Sequence, residues 1–273
     1  VPMLLLIGWR GQPGKHDEPQ HLPQGAATIA LLESMAVPFA VLDAESIDRQ
    51  VCDMATHARQ HQCPVALLVP AGLFDKDAAA PEPVYSTDRM DTIRHILSSV
   101  PQDVKIVAGT GMIGREAFEV LGELGRCAQA QAFLCVGAMG HAQSIASGYA
   151  SSSGTKTLLL DGDGALLMHA GAACSVAQSS VCHIVLNNRA HDSVGGQKTC
   201  GMDVDFSALA SVLGYENSCR VQDRAQLTRL LSQYFASGHG ALLLEVAISC
   251  GHKKGLSRPS FSPAENKNSF MKP

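Results

Sequence analysis

An aspartate and a pair of asparagines stand at the ends of two successive apolar runs, and their oxygens are suited to binding a metal ion. Asp163 lies between two glycines after the run TLLLDG, and Asn187 and Asn188 follow the run VCHIVL. Carboxylate and amide oxygens are hard donors that suit Mg²⁺, which keeps its other positions for water and phosphate oxygens. A single protein carboxylate suits a metal that arrives with a diphosphate. An aspartate helix cap beside an asparagine-rich turn is the alternative that the spacing leaves open.

Two glycine-rich turns precede this stretch and could hold a phosphate group. Gly109–Gly114 (GTGMIG) fits the pattern GxGxxG between a strand-like run and a helix-like segment. A dinucleotide site also needs an acid at the end of the following strand, about 20 residues on, to bind a ribose hydroxyl. The following run, QAFLCVGAMG, has none, which disfavours NAD and leaves open another phosphate or a tight turn alone. Gly137–His141 (GAMGH) repeats the arrangement, with Met139 either contacting a ligand or belonging to the core.

Apolar runs alternate with helical periodicity along the chain, which is typical of parallel sheets covered by helices. The expected strands are Pro2–Ile7, Val37–Leu42, Pro64–Pro70, Val104–Ala108, Phe133–Val136, Thr157–Leu160, Val181–Leu186 and Gly240–Val246. The expected helices are Gln24–Met35, Ser46–Gln60, Ser86–Leu97, Arg115–Gly125, His141–Tyr149, Ala165–Gln178, Asp205–Leu213 and Arg224–Ser232. Asp163 and both asparagines would then lie at the carboxyl edge of a parallel sheet, where ligands bind.

A break in the pattern divides the chain into two α/β regions. Phe74–Tyr85 (FDKDAAAPEPVY) combines charges, alanines and prolines without periodicity, as interdomain linkers do. We therefore expect one domain over residues 1–73, a linker over 74–85 and a second domain over 86–257. The polar tail, 258–273, is expected to lie over the surface.

Composition argues against several classes of function. The 273 residues carry a formal net charge of −4, which gives no basic surface and argues against a nucleic-acid partner. No apolar run reaches the ~20 residues that span a bilayer, and the first residues lack the charged region of a signal peptide, so we expect no membrane partner. Nine cysteines without a CxxC pair predict reduced thiols, no disulfide framework and a cytoplasmic location.

Taken together, the motifs resemble those of thiamine-diphosphate enzymes, in which GDG and NN hold a metal and a diphosphate. The surroundings resemble one group, the phosphonopyruvate decarboxylases, with the sulfopyruvate decarboxylases as relatives. The matching segments are Gly8–His21 (GWRGQPGKHDEPQH), Val136–Gly148 (VGAMGHAQSIASG), Leu158–Met168 (LLLDGDGALLM), His183–Thr199 (HIVLNNRAHDSVGGQKT) and Arg258–Met271 (RPSFSPAENKNSFM). They extend from the first residues to the tail, and NNRAHDSVGGQ is far more specific than GDG alone.

The resemblance implies a role for each of these residues. Mg²⁺ would be held by Asp163, the Asn188 side chain and the Ala190 carbonyl. Thiamine diphosphate would contact Thr110, Gly111, Gly137, Met139, Gly140, His141, Gly162, Gly164 and Ala165, with Met139 keeping the cofactor bent. The candidate catalytic residues are His191, Asp192 and His21, and the candidate substrate ligands are Arg10, Gln197 and Lys198. An exposed His-Asp turn, and solvated surface charges at Arg10 and Lys198, remain the alternatives.

The resemblance also implies a fold, a reaction and an assembly. We expect the thiamine-diphosphate-binding fold, an α/β fold with helices on both faces of parallel sheets, in one partial and one complete domain. The first region is expected to be part of a pyrimidine-binding domain without that domain's activating glutamate. The implied reaction is Mg²⁺-dependent decarboxylation of 3-phosphonopyruvate, a 3-substituted pyruvate, to phosphonoacetaldehyde and CO₂ by a homo-oligomer, at least a dimer. Sulfopyruvate as the substrate, and a form that binds Mg²⁺ and diphosphate without catalysis, are the alternatives; a dehydrogenase comes third.

Overall fold

A computed structural model describes residues 1–75, 87–253 and 255–272, and the chain divides into two compact units, Val1–Ala78 and Ala79–Pro273. Most of the expected linker, residues 76–85, lies outside the described residues, so the linker stays a prediction. Among the described residues, no helix combines the length and the apolar composition needed to cross a membrane.

The first unit is a three-stranded parallel sheet with two helices, and its strand order is β1-β3-β2. Its elements are β1 (Met3–Gly8), α1 (Leu22–Ser34), β2 (Phe39–Val41), α2 (Ile47–His61) and β3 (Pro64–Val69). The central strand β3 is apolar along its length, and Val65, Ala66, Leu67 and Leu68 are fully buried. Continuous burial of this kind is what a central parallel strand requires.

The second unit is built on a six-stranded parallel sheet with the order β5-β4-β6-β7-β9-β8. Its strands are β4 (Lys105–Ala108), β5 (Ala132–Leu134), β6 (Thr157–Gly162), β7 (Val181–Asn187), β8 (Asn217–Arg220) and β9 (Leu242–Ala247). Its helices are α3 (Arg89–Ser99), α4 (Met112–Glu123), α5 (Ala128–Gln131), α6 (Ala142–Ser153), α7 (Asp163–Met168), α8 (Ala173–Ala177), α9 (Phe206–Leu213), α10 (Arg224–Ser237) and α11 (Pro263–Phe270). The parallel α/β fold expected from the sequence is confirmed.

Two hydrophobic cores cover the two faces of this sheet. Leu158 and Leu160 of β6 pack into the core formed by α3, α4 and α10. Leu159, between them, packs into the core formed by α6, α8, α9 and α11. Successive strand side chains point to opposite faces, so a strand covered on both sides must be apolar throughout. This explains the unbroken run TLLL before Asp161.

The connection order reverses between β4 and β6. The chain leaves β4 through α4 toward β5 on one side, and it leaves β6 through α7 and α8 toward β7 on the other. These connecting helices lie on opposite faces of the sheet, since α4 and α8 pack into different cores. Such a switch point opens a crevice at the carboxyl ends of the strands, where α/β proteins bind ligands.

One of the expected helices is wrong, because the segment is interrupted. Ala165–Gln178 is not a single helix: α7 ends at Met168, a 3₁₀ turn covers Ala170–Ala172, and α8 follows. The break falls at His169, whose backbone leaves the helical region at φ −132° and ψ 46°. Its ring packs edge-to-face on His141, with the centroids 4.4 Å apart. Tertiary packing of this histidine thus divides a segment that has helical periodicity throughout.

The expectation that the C-terminal tail lies over the surface is also wrong, because part of the tail is buried. It forms α11, whose start has a capping box between Ser262 and Glu265. Asn266 is buried and completes the edge strand β5: its Oδ1 accepts from Leu134 N at 3.0 Å, and its Nδ2 donates to Ala132 O at 2.8 Å. Phe270 is 1% exposed and fills the core beneath. The tail therefore protects a strand edge that would otherwise be unpaired.

The nine cysteines are free, and their burial predicts two classes of reactivity. Burial raises the pKa of the Cys135 thiol to about 12 and raises the pKa of Cys182 as well. Because the thiolate is the nucleophile, we expect iodoacetamide at mildly alkaline pH to label the exposed thiols first. These are Cys52, Cys127, Cys174 and Cys200. Peptide mass spectrometry checks this, with urea-unfolded protein as the fully labelled control, and early labelling of Cys135 or Cys182 would contradict it.

Candidate active site

Asp163 lies at the carboxyl end of β6, beside the switch point, as the first residue of α7. Its carboxylate is buried, and among the described residues no lysine or arginine forms an ion pair with it. Burial raises the pKa of this carboxyl above its ordinary value, against the opposing hydrogen bond from Thr199. Burying a carboxylate without a cationic partner costs free energy unless a cation or hydrogen-bond donors satisfy it. Asp163 therefore has the surroundings expected of a metal ligand.

The loop after β7 folds back over Asp163 as a short antiparallel hairpin. Ala190 bridges Lys198, and the flanking hydrogen bonds run from His191 N to Gln197 O at 2.8 Å and from Thr199 N to Arg189 O at 2.9 Å. The Thr199 hydroxyl donates to Asp163 Oδ2 and ties the hairpin to α7. Thr199 ends the motif HIVLNNRAHDSVGGQKT, and its contact with Asp163 is visible only in the folded chain.

The hairpin directs two oxygen atoms away from itself. Ala190 occupies a position without hydrogen bonds to Lys198, so its N–H and C=O both point outward from the hairpin. The Ala190 N–H donates to Asn188 Oδ1 at 3.1 Å, while its carbonyl accepts no hydrogen bond from the described residues. The Asn188 and Ala190 oxygens thus lie on the same side of the loop.

Asn187, the other asparagine, serves the structure of the loop. Its Nδ2 donates to Glu245 Oε1 at 2.9 Å and to Gly201 O at 3.2 Å, and its Oδ1 accepts from Arg189 N at 3.1 Å. All its polar atoms are therefore used within the protein, and it is 1% exposed. The two asparagines thus have different roles: Asn187 holds the loop in place, and the side-chain oxygen of Asn188 faces outward from it.

The two glycine-rich turns lie at the carboxyl ends of β4 and β5. Gly111 has φ +88°, and a Cβ there would meet Ser193 Oγ at 2.3 Å, so only glycine allows the hairpin to approach α4 so closely. Ser193 Oγ accepts from Met112 N at 3.3 Å. Thr110 stands beside Gly111, and both therefore lie next to the hairpin. The structure thus brings the turn after β4 to the loop that follows β7.

The second turn approaches α7 from the other side. Gly140 has φ +81°, and a Cβ there would meet Ala165 O at 2.9 Å and the His169 ring at 2.5 Å. Gly137 also has a positive φ, of +67°. Met139 is half-buried, and its carbonyl is 3.2 Å from His141 Nδ1. The predicted cofactor contacts Gly162, Gly164 and Ala165 surround Asp163 in the same crevice.

His191 and Asp192 point in different directions. The His191 ring packs on α7, where a Cβ at Gly164 would meet its Cε1 at 2.8 Å. The Asp192 carboxylate instead turns inward, accepts from Asn188 Nδ2 at 2.7 Å and pairs with Arg89 at 3.0 Å. Sequence reasoning missed Arg89, since nothing local marks a contact made 103 positions along the chain.

The other two predicted residues of the hairpin are exposed. A Cβ at Gly195 would meet Gln197 Nε2 at 2.7 Å, so the Gln197 side chain folds against the glycine turn. Lys198 is the next residue on the same strand of the hairpin, and it is exposed. Both residues stay candidate substrate ligands, with the solvated alternative for Lys198 still open.

In the first unit, Arg10 and His21 converge on Asp17, a residue of the motif GWRGQPGKHDEPQH for which the sequence predicted no role. The Asp17 carboxylate accepts from Arg10 Nε at 2.8 Å and Nη2 at 2.5 Å, and its Oδ1 is 2.9 Å from His21 Nδ1. It also accepts from the backbone N–H groups of Gly11 and Glu18. The Arg10 side chain is nevertheless 57% exposed, so one nitrogen edge of its guanidinium remains available to an anion.

These hydrogen bonds predict an acid-sensitive loop. The Arg10 guanidinium and the His21 ring hold the pKa of the Asp17 carboxyl well below its usual range. A depressed folded-state pKa contributes stability above the unfolded value of about 3.9, and that contribution is lost as the pH falls further. Trp9, the single tryptophan, donates to Gly25 O at 3.0 Å and reports on this unit.

We therefore expect the urea midpoint of Trp9 fluorescence to fall between neutral pH and about pH 3. Asp17→Asn should lower the midpoint at neutral pH and flatten its pH dependence. The exposed Asp53→Asn is the control with the same charge change. An Asp17→Asn protein with the wild-type pH profile would contradict the assignment.

A cleft of about 650 Å³ opens at the carboxyl ends of β8 and β9, between α3 and α10. Its lining includes Asp88, His95, Arg220, Arg224 and Val246, and neither Asp163 nor Asn188 borders it. The metal-binding candidates therefore lie at a separate part of the same sheet edge.

The donor set fits Mg²⁺ and a diphosphate. Asp163 supplies a buried carboxylate, and the oxygens of Asn188 and Ala190 face outward from the adjoining loop. Hard oxygen donors with room for phosphate oxygens are what Mg²⁺ requires. The turns at Gly111 and Gly140 would let backbone approach a ligand closely.

Comparison with known proteins shows which class of protein has this fold and a similar domain. Residues 118–246 match the model of the C-terminal TPP binding domain of thiamine pyrophosphate enzymes. The structure of benzoylformate decarboxylase from Polynucleobacter necessarius superposes with a TM-score of 0.53 at 15% identity, over 92% of this chain and 50% of that one. That likeness shows the fold alone, and the matched model describes a thiamine-pyrophosphate-binding domain within this chain.

Within that class, the chain belongs to the phosphonopyruvate decarboxylase family. It is 30% identical to phosphonopyruvate decarboxylase of Streptomyces viridochromogenes, over 97% of this chain and 70% of the relative. It is 25% identical to sulfopyruvate decarboxylase of Methanosarcina acetivorans, over 82% of this chain and 63% of that relative. The resemblance stated from the sequence is confirmed, and it places the chain in a family of thiamine-diphosphate-dependent decarboxylases.

Proposed function

We propose that the chain catalyses the Mg²⁺- and thiamine-diphosphate-dependent decarboxylation of 3-phosphonopyruvate to phosphonoacetaldehyde and CO₂. The observation that carries the proposal is the buried Asp163 beside the outward-facing oxygens of Asn188 and Ala190. Membership in the phosphonopyruvate decarboxylase family supports the choice of substrate. When bound, the cofactor supplies the electron sink that allows a 2-oxo acid to lose CO₂.

In this proposal, the residues of the second unit bind and orient the cofactor. Asp163, Asn188 and Ala190 hold Mg²⁺, and the turns beginning at Thr110 and Gly137 contact the diphosphate. Met139 lies on the second turn, where a half-buried apolar side chain can hold a ring in place. The His191 ring packs on α7. In the proposal, His191 is the residue of the hairpin that faces the reacting end of the substrate.

Recognition of the phosphonate is assigned to cationic side chains. Arg10 is fixed by Asp17 along one edge and exposed along the other, a geometry that suits a planar fork binding a dianion. His21 shares Asp17 and is the proton carrier or hydrogen-bond donor of this loop. Gln197 and Lys198 are further ligands from the hairpin. We further propose that the active form is a homo-oligomer, at least a dimer, which light scattering on the purified protein checks.

One experiment separates the alternatives. Thiamine diphosphate is titrated calorimetrically with and without Mg²⁺, and CO₂ release is then assayed from phosphonopyruvate and from sulfopyruvate. We expect Mg²⁺-dependent binding and preferential CO₂ release from phosphonopyruvate. Faster CO₂ release from sulfopyruvate would show that sulfopyruvate, and not phosphonopyruvate, is the preferred substrate. Binding without CO₂ release from either would favour a non-catalytic binding protein, and no binding would overturn the proposal.

A further inference from the structure

A buried ion cluster lies behind the metal-binding candidates of the second unit. Arg89, the first residue of α3, donates from Nε to Glu116 Oε2 at 2.8 Å and from Nη2 to Glu116 Oε1 at 3.2 Å. Its Nη1 donates to Asp192 Oδ2 at 3.0 Å. The side chains of Arg89, Glu116 and Asp192 are 5%, 1% and 7% exposed, so the cluster is almost entirely removed from water.

The Asp192 carboxylate is the point where this cluster meets the metal loop. Its Oδ2 accepts from Arg89 Nη1 and Gly251 N at 3.0 Å, and from Asn188 Nδ2 at 2.7 Å. Arg89 also donates to Gly251 O at 3.0 Å, which fixes the segment after β9. Asp192 is therefore held from two sides before it contacts Asn188.

Two contacts select the orientation of the Asn188 amide: Asp192 accepts from its nitrogen, and the N–H of Ala190 donates to its oxygen. The oxygen and nitrogen of an amide have nearly the same shape, so packing alone does not select between its two orientations. An ionised carboxylate only accepts hydrogen bonds and therefore selects the NH₂ end of Asn188. The oxygen must then face the other way, where Ala190 N donates to it at 3.1 Å.

Arg89 holds the Asp192 carboxylate in place. Its Nη1 donates to the same Asp192 oxygen that Asn188 contacts, while its Nε and Nη2 donate to Glu116. Burial by itself lowers the pKa of the Arg89 guanidinium, but Glu116 and Asp192 hold it above its ordinary value. Arg89 thus stays charged and anchors Asp192 where it meets Asn188.

We propose that Arg89 and Asp192 are positioning residues that orient Asn188 so that its amide oxygen faces the metal. This inference rests on the proposed function only for the identity of the metal and its diphosphate. It gives Asp192 a different role from the catalytic one suggested by the sequence. Buried ion pairs contribute little net stability compared with apolar packing, so stability alone does not account for this cluster. The orientation of Asn188 is a function that would account for it.

The test measures Mg²⁺ affinity rather than turnover. Mg²⁺ is titrated calorimetrically at a fixed excess of thiamine diphosphate into the wild type and Asp192→Asn, which preserves shape but can donate. Changes of this kind behind a metal ligand typically weaken affinity about 10–100-fold, and we expect a loss in that range. Asp91→Asn on α3, which removes an exposed carboxylate paired with Arg94, should leave the affinity unchanged.

A double-mutant cycle shows whether Asp192 acts through Asn188. In an Asn188→Ala background, Asp192→Asn should change the Mg²⁺ affinity less than about twofold, because the group it orients is gone. A similar loss in both backgrounds would overturn the proposal, as would wild-type affinity in Asp192→Asn alone. Should Asp192→Asn fail to fold, Arg89→Lys replaces it, since an ammonium cannot form the same fork to both carboxylates. The same weakening is expected, and wild-type affinity in that variant would equally overturn the proposal.

The outcome is separable from that of the proposed function. If wild-type protein binds Mg²⁺ with thiamine diphosphate but Asp192→Asn binds equally well, only the positioning role fails. If the wild type shows no Mg²⁺-dependent binding, the proposed function fails first.

Discussion

Asp163→Ala is expected to abolish Mg²⁺-dependent binding of thiamine diphosphate. The substitution removes the single buried carboxylate of the candidate metal site, at the end of β6. Loss of a direct ligand should exceed the ~10–100-fold weakening that more distant positions cause, so no calorimetric signal is expected at micromolar protein. The measurement is a titration of thiamine diphosphate in excess Mg²⁺.

The control for this prediction is Asp103→Ala. Asp103 is exposed at the amino-terminal edge of the same sheet, so its removal makes the same charge change far from the switch point. The control should bind like the wild type. Amide hydrogen exchange of β6 and β7 verifies that Asp163→Ala is folded. A folded Asp163→Ala protein with unchanged affinity would show that the metal assignment is wrong.

The second large effect is expected from Arg89→Met. The substitution is nearly isosteric along the stem and suits a helix, but it leaves Glu116 and Asp192 buried without their cation. Breaking a buried ion pair by removing one partner typically costs about 3–5 kcal/mol, and we expect a loss of that size in the second unit. The slowest exchanging amides of β7 measure it, since they report the global opening of that unit.

Arg94→Met provides a matched comparison on the same helix. Arg94 also bridges two carboxylates, Asp91 at 2.5 Å and Glu123 at 2.8 Å, but its side chain is 37% exposed. Exposed pairs contribute at most about 1 kcal/mol, so this variant should stay near the wild type. Adding Glu116→Gln to Arg89→Met should restore part of the stability by removing one stranded charge. Equal losses in Arg89→Met and Arg94→Met would contradict the role of burial.

The sequence alone was sufficient to predict parallel sheets covered by helices, although it gave neither strand β8 nor the order of the strands. Unbroken apolar runs such as TLLL are required where a strand is covered on both faces, and their alternation with helical segments predicted the parallel order. The GDG and NN motifs predicted a common sheet edge, because parallel strands end on the same side. The capping box at Ser262 and Glu265 is a local signal for the start of α11.

Tertiary structure decided what local pattern could not. His169 interrupts a helical periodicity because its ring packs on His141, and Asn266 completes β5 from a position 132 residues away from Leu134. The Asp192 carboxylate that contacts the Asn188 amide is held by Arg89, which α3 supplies. Sequence spacing thus determined which oxygen atoms reach the sheet edge. The direction they face depends on hydrogen bonds between residues distant in the chain, which only folding brings together.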